Sequence, residues 1–279
     1  MSQATAAPKA PLTHRLRTWV GDNALRIYAV IAFVYLLLPV AYTFAFSFND
    51  AGRTNIVWNS FTWDNWLNPC GAPEVCPSVV NSLVVGLIVT VVSTILGTLI
   101  AFSLVRYRFR GRSTTNLLIF LPMATPEVVL GSSLLALFLN LFVPLGFTTV
   151  VLAHIMFCIS FVVVTVKARL ASLDPRLEQA AMDLYASERE AFRRITLPLV
   201  APGIAAAGLL AFSLSFDDFI ITNLNAGNTT TFPMYVWGVS RKTVPMQINV
   251  VGTLMLLISI TIVLLGEWRN SRQRRALAG

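Results

Sequence analysis

The chain has 279 residues, of which 56% are hydrophobic and only 12% charged, with a mean hydropathy of +0.70. A soluble domain carries about 25% charge, so the composition excludes an ordinary soluble globule and points to a polytopic membrane protein. The net charge of +8 invites a nucleic-acid reading that the placement of the basic residues removes, and three cysteines exclude a cysteine-rich scaffold or a four-cysteine zinc site.

Residues 1–26 form a tail with Lys9, Arg15, Arg17 and Arg26. The tail has no apolar core followed by a small-residue cleavage site, so no cleavable signal is expected. A hydrocarbon core needs about 20 apolar residues per helix, and six stretches qualify: 27–48, 79–105, 115–141, 147–166, 200–224 and 247–266. Their apolar runs are continuous rather than alternating, so closed-barrel strands are not expected. The fold expected is an all-α, six-helix membrane domain over 27–266, followed by a basic tail over 267–279.

Orientation follows from Lys and Arg. The N-terminal tail, the connection with Arg106, Arg108, Arg110 and Arg112, the connection from Lys167 to Arg194, and the C-terminal tail fall on one side. Only Arg53, Arg241 and Lys242 fall on the other. Both termini are therefore expected in the cytoplasm. The positive charge is a topology signal, with some of it available to anionic lipid, and no nucleic-acid partner is expected.

The first outer loop, 49–78, carries Phe61, Trp63 and Trp66, which suit either the membrane interface or an external partner. Cys70 and Cys76 flank five residues on the oxidising side, where a local disulfide is chemically reasonable. Two thiols are too few ligands for a metal, and no metal site is expected. Cys158, inside the fourth span, reads as an inert packing residue.

The second span has Ser93, Gly97 and Ala101 at four-residue spacing, and the fifth has Gly203, Ala207, Ala211 and Ser215. Such ladders let helices approach closely, within one bundle or at a seam between subunits. Pro122 and Pro126 interrupt the third span in "LPMATPEVVLG" and predict a kink beside a cavity.

The connection at 167–199 is unusually charged and helical. Asp174 suits an N-cap and Pro175 a first helical position. Leu177, Ala180, Ala181 and Leu184 share one face. Ser187 and Glu190 form a capping-box pattern for a second short helix, which Leu197-Pro198 should end. Alanines at the centre of the apolar face suit close approach to protein better than anchoring in lipid.

Few ionisable groups lie within the spans: Glu127, Asp217, Asp218 and His154. A charge at that depth normally faces a polar path or a partner. Acids without a basic residue at their depth suit a cationic cargo, held by carboxylates and by aromatic faces such as Phe216, Phe219, Tyr235 and Trp237. Alternatively the aspartates bond exposed backbone near a broken helix or pair with another membrane subunit, Glu127 satisfies amides freed by Pro126, and His154 is a packing residue.

The 177–200 segment resembles the EAA loop of ABC-importer permeases: E-A-A, three residues, G, nine residues, I-x-L-P. The slots here read Gln179-Ala180-Ala181, then Tyr185, then Ile195, Leu197 and Pro198, with every spacing kept. The wider context, in "VVVTVKARLASLDPRLEQAAMDLYASE", "LPMATPEVVLG" and "FSLSFDDFIIT", resembles the spermidine/putrescine branch over about residues 25–268. Two slots depart from the pattern. Gln179 stands at the acid, with Glu178 one position earlier, and Tyr185 stands at the glycine. A left-handed Tyr185 would cost about 1–2 kcal/mol, so a shifted turn or a helical Tyr185, its ring free to enter a partner's groove, is expected.

The resemblance implies a type I (MetI-like) permease fold in the bacterial inner membrane and transport of polyamines by alternating access. It implies two PotA-like ATPase subunits, a second, PotB-like permease and an external PotD-like binding protein. The residues implied to meet the ATPase are Glu178, Gln179, Ala180, Ala181, Asp183, Leu184, Tyr185, Ala186, Ser187, Ile195, Leu197 and Pro198. The chain has no G-x-x-x-x-G-K-[ST] loop. ATP and magnesium are therefore expected on the partner, with no cofactor and no covalent chemistry in this chain. The same machine with another cargo (ferric ion, thiamine, another organic cation) is the nearest alternative. An ion-coupled secondary transporter would leave the EAA-like loop unexplained.

Overall fold

The computed structural model describes residues 12–50, 57–241 and 244–278. Lys9, Arg53 and Lys242 lie outside them. The chain divides into two units, residues 1–71 with 243–279, and residues 72–242. Helices long and apolar enough to cross a membrane number five among the described residues, or six with one bent pair, which accounts for the six apolar stretches.

In the first unit, α1 (Leu12–Phe46) packs on α12 (Met246–Ala278), and α2 is the single turn Asp64–Leu67. The loop aromatics close on one another. Phe48 stacks on Phe61 and Trp66 at centroid distances of 5.5 and 5.3 Å, and Trp63 meets its edge at 5.0 Å. Trp66 Nε1 donates to Ser47 Oγ at 3.2 Å. Phe61 and Trp63 remain more than half exposed, as an aromatic belt or a protein contact requires. Cys70 and Cys76 are disulfide-bonded, and Cys158 is free and buried.

The second unit runs α3 (Val75–Arg106), α4 (Arg112–Ala124), α5 (Glu127–Asn140), α6 (Phe147–Ala171), α7 (Arg176–Asp183) and α8 (Glu188–Ala191). A π-helical turn at Phe192–Thr196 follows, then α9 (Leu197–Asp217), α10 (Ile220–Asn225) and α11 (Phe232–Ser240). Its core forms where α3, α6 and α9 meet, around Val89, Leu104, Val162, Val166, Val200 and Ala211.

With lipid as the surrounding solvent, bulk faces outward and small residues face inward. On α3, Val91, Ile95 and Leu99 are exposed while Ser93, Gly97 and Ala101 are buried. A Cβ at Gly97 would lie 2.6 Å from Val162 Cγ1 on α6, and one at Gly203 would lie 2.5 Å from Arg169 Cγ. Both small-residue ladders thus face helices of their own chain, as the bundle-packing reading holds.

The third span is broken. Thr125 and Pro126 are extended, and α4 and α5 bend by 108° across them. Pro126 supplies no amide, and the residue before it is held out of the α region. Glu127 therefore opens α5 instead of lying midway along a continuous helix.

Candidate functional site

Two places gather the polar groups singled out in the sequence. The first is the connection between α6 and α9. Asp174 Oδ1 accepts from the Arg176 amide at 2.9 Å, as an N-cap does, and Pro175 is already helical at φ −59°, immediately before α7. The face carrying Leu177 and Leu184 is not covered; these side chains are 45% and 81% exposed.

At its end α7 closes with paired bonds, Tyr185 N–H to Met182 O at 3.0 Å and Ala186 N–H to Ala181 O at 3.1 Å. This Schellman geometry needs a left-handed residue at the turn, and Tyr185 takes it at φ +65°. The expected shifted or helical Tyr185 is therefore corrected. The turn stays in register, the two bonds offset the local strain, and the ring points away from the chain, 98% exposed.

Ser187 and Glu190 form the anticipated capping box. Ser187 Oγ accepts from Glu190 N–H at 3.4 Å, and the Glu190 carboxylate accepts from Ser187 N–H at 3.1 Å. The expected stop at Leu197-Pro198 does not occur, because one helix runs from Glu188 to Asp217. In a regular α-helix the Pro198 ring would crowd the carbonyl four residues back. The π turn, with its wider ring of bonds, precedes that proline. Glu178 turns inward to Arg106 and Thr196, while Gln179 is exposed. Ile195 lines the small cavity behind them, and Ala180, Asp183 and Leu197 remain exposed beside partly buried Ala181 and Ala186.

The second place is a cleft of about 850 Å³ where the break in the third span faces the end of α9. Glu127, Phe216, Asp217, Asp218, Phe219 and Trp237 line it. Phe219 and Trp237 lie 5.2 Å apart, and the Arg241 guanidinium rests 5.4 Å from the Trp237 ring. A cation of the chain thus already uses that ring. Tyr235 does not line the cleft. Pro233, Val236, Trp237 and Ser240 form the lining face of α11 at helical spacing, and Tyr235 falls off it.

The two aspartates separate. Asp217 is exposed. Asp218 is buried and accepts from Thr222 N–H at 2.8 Å, from Thr222 Oγ1 at 2.8 Å and from Ile221 N–H at 3.4 Å, holding the start of α10. Its carboxylate also lies 3.2 Å from His154 Nε2, and His154 Nδ1 lies 2.8 Å from Ser215 Oγ. Asp218 therefore borders the cleft but spends its oxygens on its own chain. Ser215, Thr222 and Arg106 escape a search of the sequence for sites. Ser215 reads only as a small residue of the fifth-span ladder, Thr222 carries no sign of a partner, and Arg106 reads as one topology arginine among several.

The model of the family described as "Binding-protein-dependent transport system inner membrane component" matches residues 74–275. The chain is 32% identical over 238 residues to the spermidine/putrescine transport system permease protein PotC of Haemophilus influenzae, covering 85% of this chain and 92% of that one. With PotC of Escherichia coli K12 it shares 34% over 236 residues, 84% of this chain and 89% of that one. With the putrescine permease protein PotI of the same strain it shares 41% over 166 residues, 57% and 59% of the two chains. A chain from the crystal structure of a bacterial ABC transporter that imports the acidic polysaccharide alginate superposes with a TM-score of 0.66 at 14% identity, covering 92% of this chain and 99% of that one. That likeness bears on the fold alone.

Proposed function

Because the chain belongs to the binding-protein-dependent transport system inner membrane component family, we propose that it is the membrane-spanning permease subunit of an ATP-driven importer whose cargo is a polyamine such as spermidine or putrescine. The observation that carries the cargo is the cleft that brings the carboxylates of Glu127 and Asp217 together with the Phe219–Trp237 aromatic pair. A chain of ammonium groups joined by methylenes matches that mixture of charge and ring faces. The likeness to PotC over most of both chains supports the same cargo.

On this reading the connection between α6 and α9 is the coupling element. Both termini and this loop lie in the cytoplasm, as the Lys and Arg distribution argues. Two ATPase subunits dock there and hold ATP and magnesium. A second permease completes the passage, and an external binding protein delivers the cargo. The chain catalyses no covalent step. It switches its cleft between the two sides of the membrane as the ATPases close and open.

The test is ATP hydrolysis by the whole complex in lipid, with its binding protein, against putrescine, spermidine, thiamine, ferric ion and a sugar. Stimulation by polyamines is the expected result. Stimulation by another solute alone keeps the importer and discards the cargo. No stimulation by any solute, with no ATPase bound, discards the importer.

A further inference from the structure

Glu178 stands beside the exposed docking face of α7 but points away from it. Its carboxylate accepts from Arg106, the last residue of α3, and from the Thr196 hydroxyl, the last residue of the π turn that leads into α9. These three residues come from three elements: Arg106 ends one membrane-crossing helix, and Thr196 lies near the foot of another, Glu188–Asp217. Arg106 is held from a further direction. Its guanidinium lies 5.1 Å from the ring of Phe192 and 6.0 Å from that of Phe102, and these two rings meet edge to face at 5.3 Å.

The π turn is part of this arrangement. Phe192 opens it and Thr196 closes it, so one widened turn sends an aromatic ring to Arg106 and a hydroxyl to Glu178. Glu178 and Arg106 are each about one-third exposed, shielded enough for the pair to act in less than bulk dielectric. Apart from its chain ends α7 packs only on α8 and the π turn among its stronger contacts, and its exit is the single turn from Leu184 to Ser187. Without Glu178, a push on α7 would be taken up by bending at that turn.

We propose that Glu178 is a positioning residue that latches α7 to the bundle, through Arg106 to α3 and through Thr196 to α9. Displacement of α7 then reaches both helices together. The inference rests on the coupling role proposed above for this loop, and it assigns Glu178 to the permease side of the joint and the outward-facing Gln179 to the partner side. Substitution of the latch leaves the ATPase docked but lets its strokes slip.

The experiment measures ATP consumed per polyamine taken up, in the full complex with its binding protein, for Glu178→Gln, Arg106→Gln and the exchanged pair Glu178→Arg with Arg106→Glu. Glu178→Gln keeps the size and one acceptor while losing the charge. The expected result is a rise of at least about fivefold in ATP per polyamine for each single variant, with the ATPase still co-purifying, and a partial return toward the unmodified ratio in the exchanged pair. A purely structural role would reduce the amount of assembled complex and leave the ratio alone. An unchanged ratio in both single variants, in a complex whose unmodified form is stimulated by polyamine, overturns the latch alone. Absence of stimulation in the unmodified complex overturns the importer reading and the latch with it.

Discussion

The carboxylate of Asp218 lies 3.2 Å from Nε2 of His154, and both side chains are almost wholly buried, whereas its neighbour Asp217 is exposed at the cleft. Two adjacent acids therefore have different work. One fixes the break between α9 and α10, and the other remains open to a visitor.

Asp217→Asn is expected to lower polyamine uptake about tenfold, equivalent to ~1.4 kcal/mol, with the ATPase still bound and the protein yield unchanged. Uptake by reconstituted vesicles checks this. Uptake equal to that of the unmodified chain would remove Asp217 from the passage.

Asp218→Ala is expected to act on stability instead. It strips the caps from Thr222 and Ile221 and removes the carboxylate beside His154 Nε2, which keeps only the Thr222 hydroxyl at 2.9 Å, at a cost of about 3 kcal/mol. The thermal midpoint in lipid nanodiscs should fall clearly below that of Asp217→Asn. Equal midpoints for the two variants would mean that Asp218 is not a structural acid.

Tyr185→Gly removes the strain of a left-handed tyrosine, about 1–2 kcal/mol, and deletes the ring. The amides of Tyr185 and Ala186, which close α7, should exchange hydrogen more slowly in the glycine variant. Tyr185→Ala keeps most of the strain and should exchange as the unmodified chain does. If the ring contacts the ATPase, both variants lose affinity for it while Tyr185→Phe does not, which a binding titration decides.

Gly97→Ala places a methyl 2.6 Å from Val162 Cγ1 and 2.8 Å from its Cβ. The neighbour is a stiff β-branched side chain, so the helices must part, at about 1–3 kcal/mol. Gly97→Ala combined with Val162→Ala removes the Cγ1 contact but keeps the one with Cβ at 2.8 Å, so it should recover only part of the loss. The same unfolding assay reads both, and failure of the pair to recover would place the obstruction elsewhere.

The spans are legible in the sequence because hydrocarbon demands length and apolarity, and both are local properties. The break at Pro126 is legible because the missing amide is local too, as are the capping box at Ser187 and the cap at Asp174. The turn at Tyr185 misleads for a physical reason. The propensity of an L-residue opposes φ > 0, but the Schellman bonds and the register of α7 with α8 outweigh it. Residue type alone suggests Tyr235 for the cleft, and it says nothing about the face of α11. Glu178 with Arg106, and His154 with Asp218, are meetings between distant parts of the chain. Glu178 and Arg106 lie 72 residues apart, and no local pattern announces the pairing.

The helix from Glu188 to Asp217 contains 30 residues, about 45 Å at 1.5 Å per residue, against about 30 Å of hydrocarbon. One uninterrupted element thus begins outside the lipid beside Ser187 and ends at the carboxylate of Asp217. It has two places to yield, the π turn at Phe192–Thr196 and Pro202. With both joints held stiff it acts as one lever, and a tilt of about 5° at its foot would carry its tip by about 4 Å over that length. That is roughly the width of a methylene chain. On the importer reading proposed above, opening and shutting the cleft would need only a small rotation of a single helix.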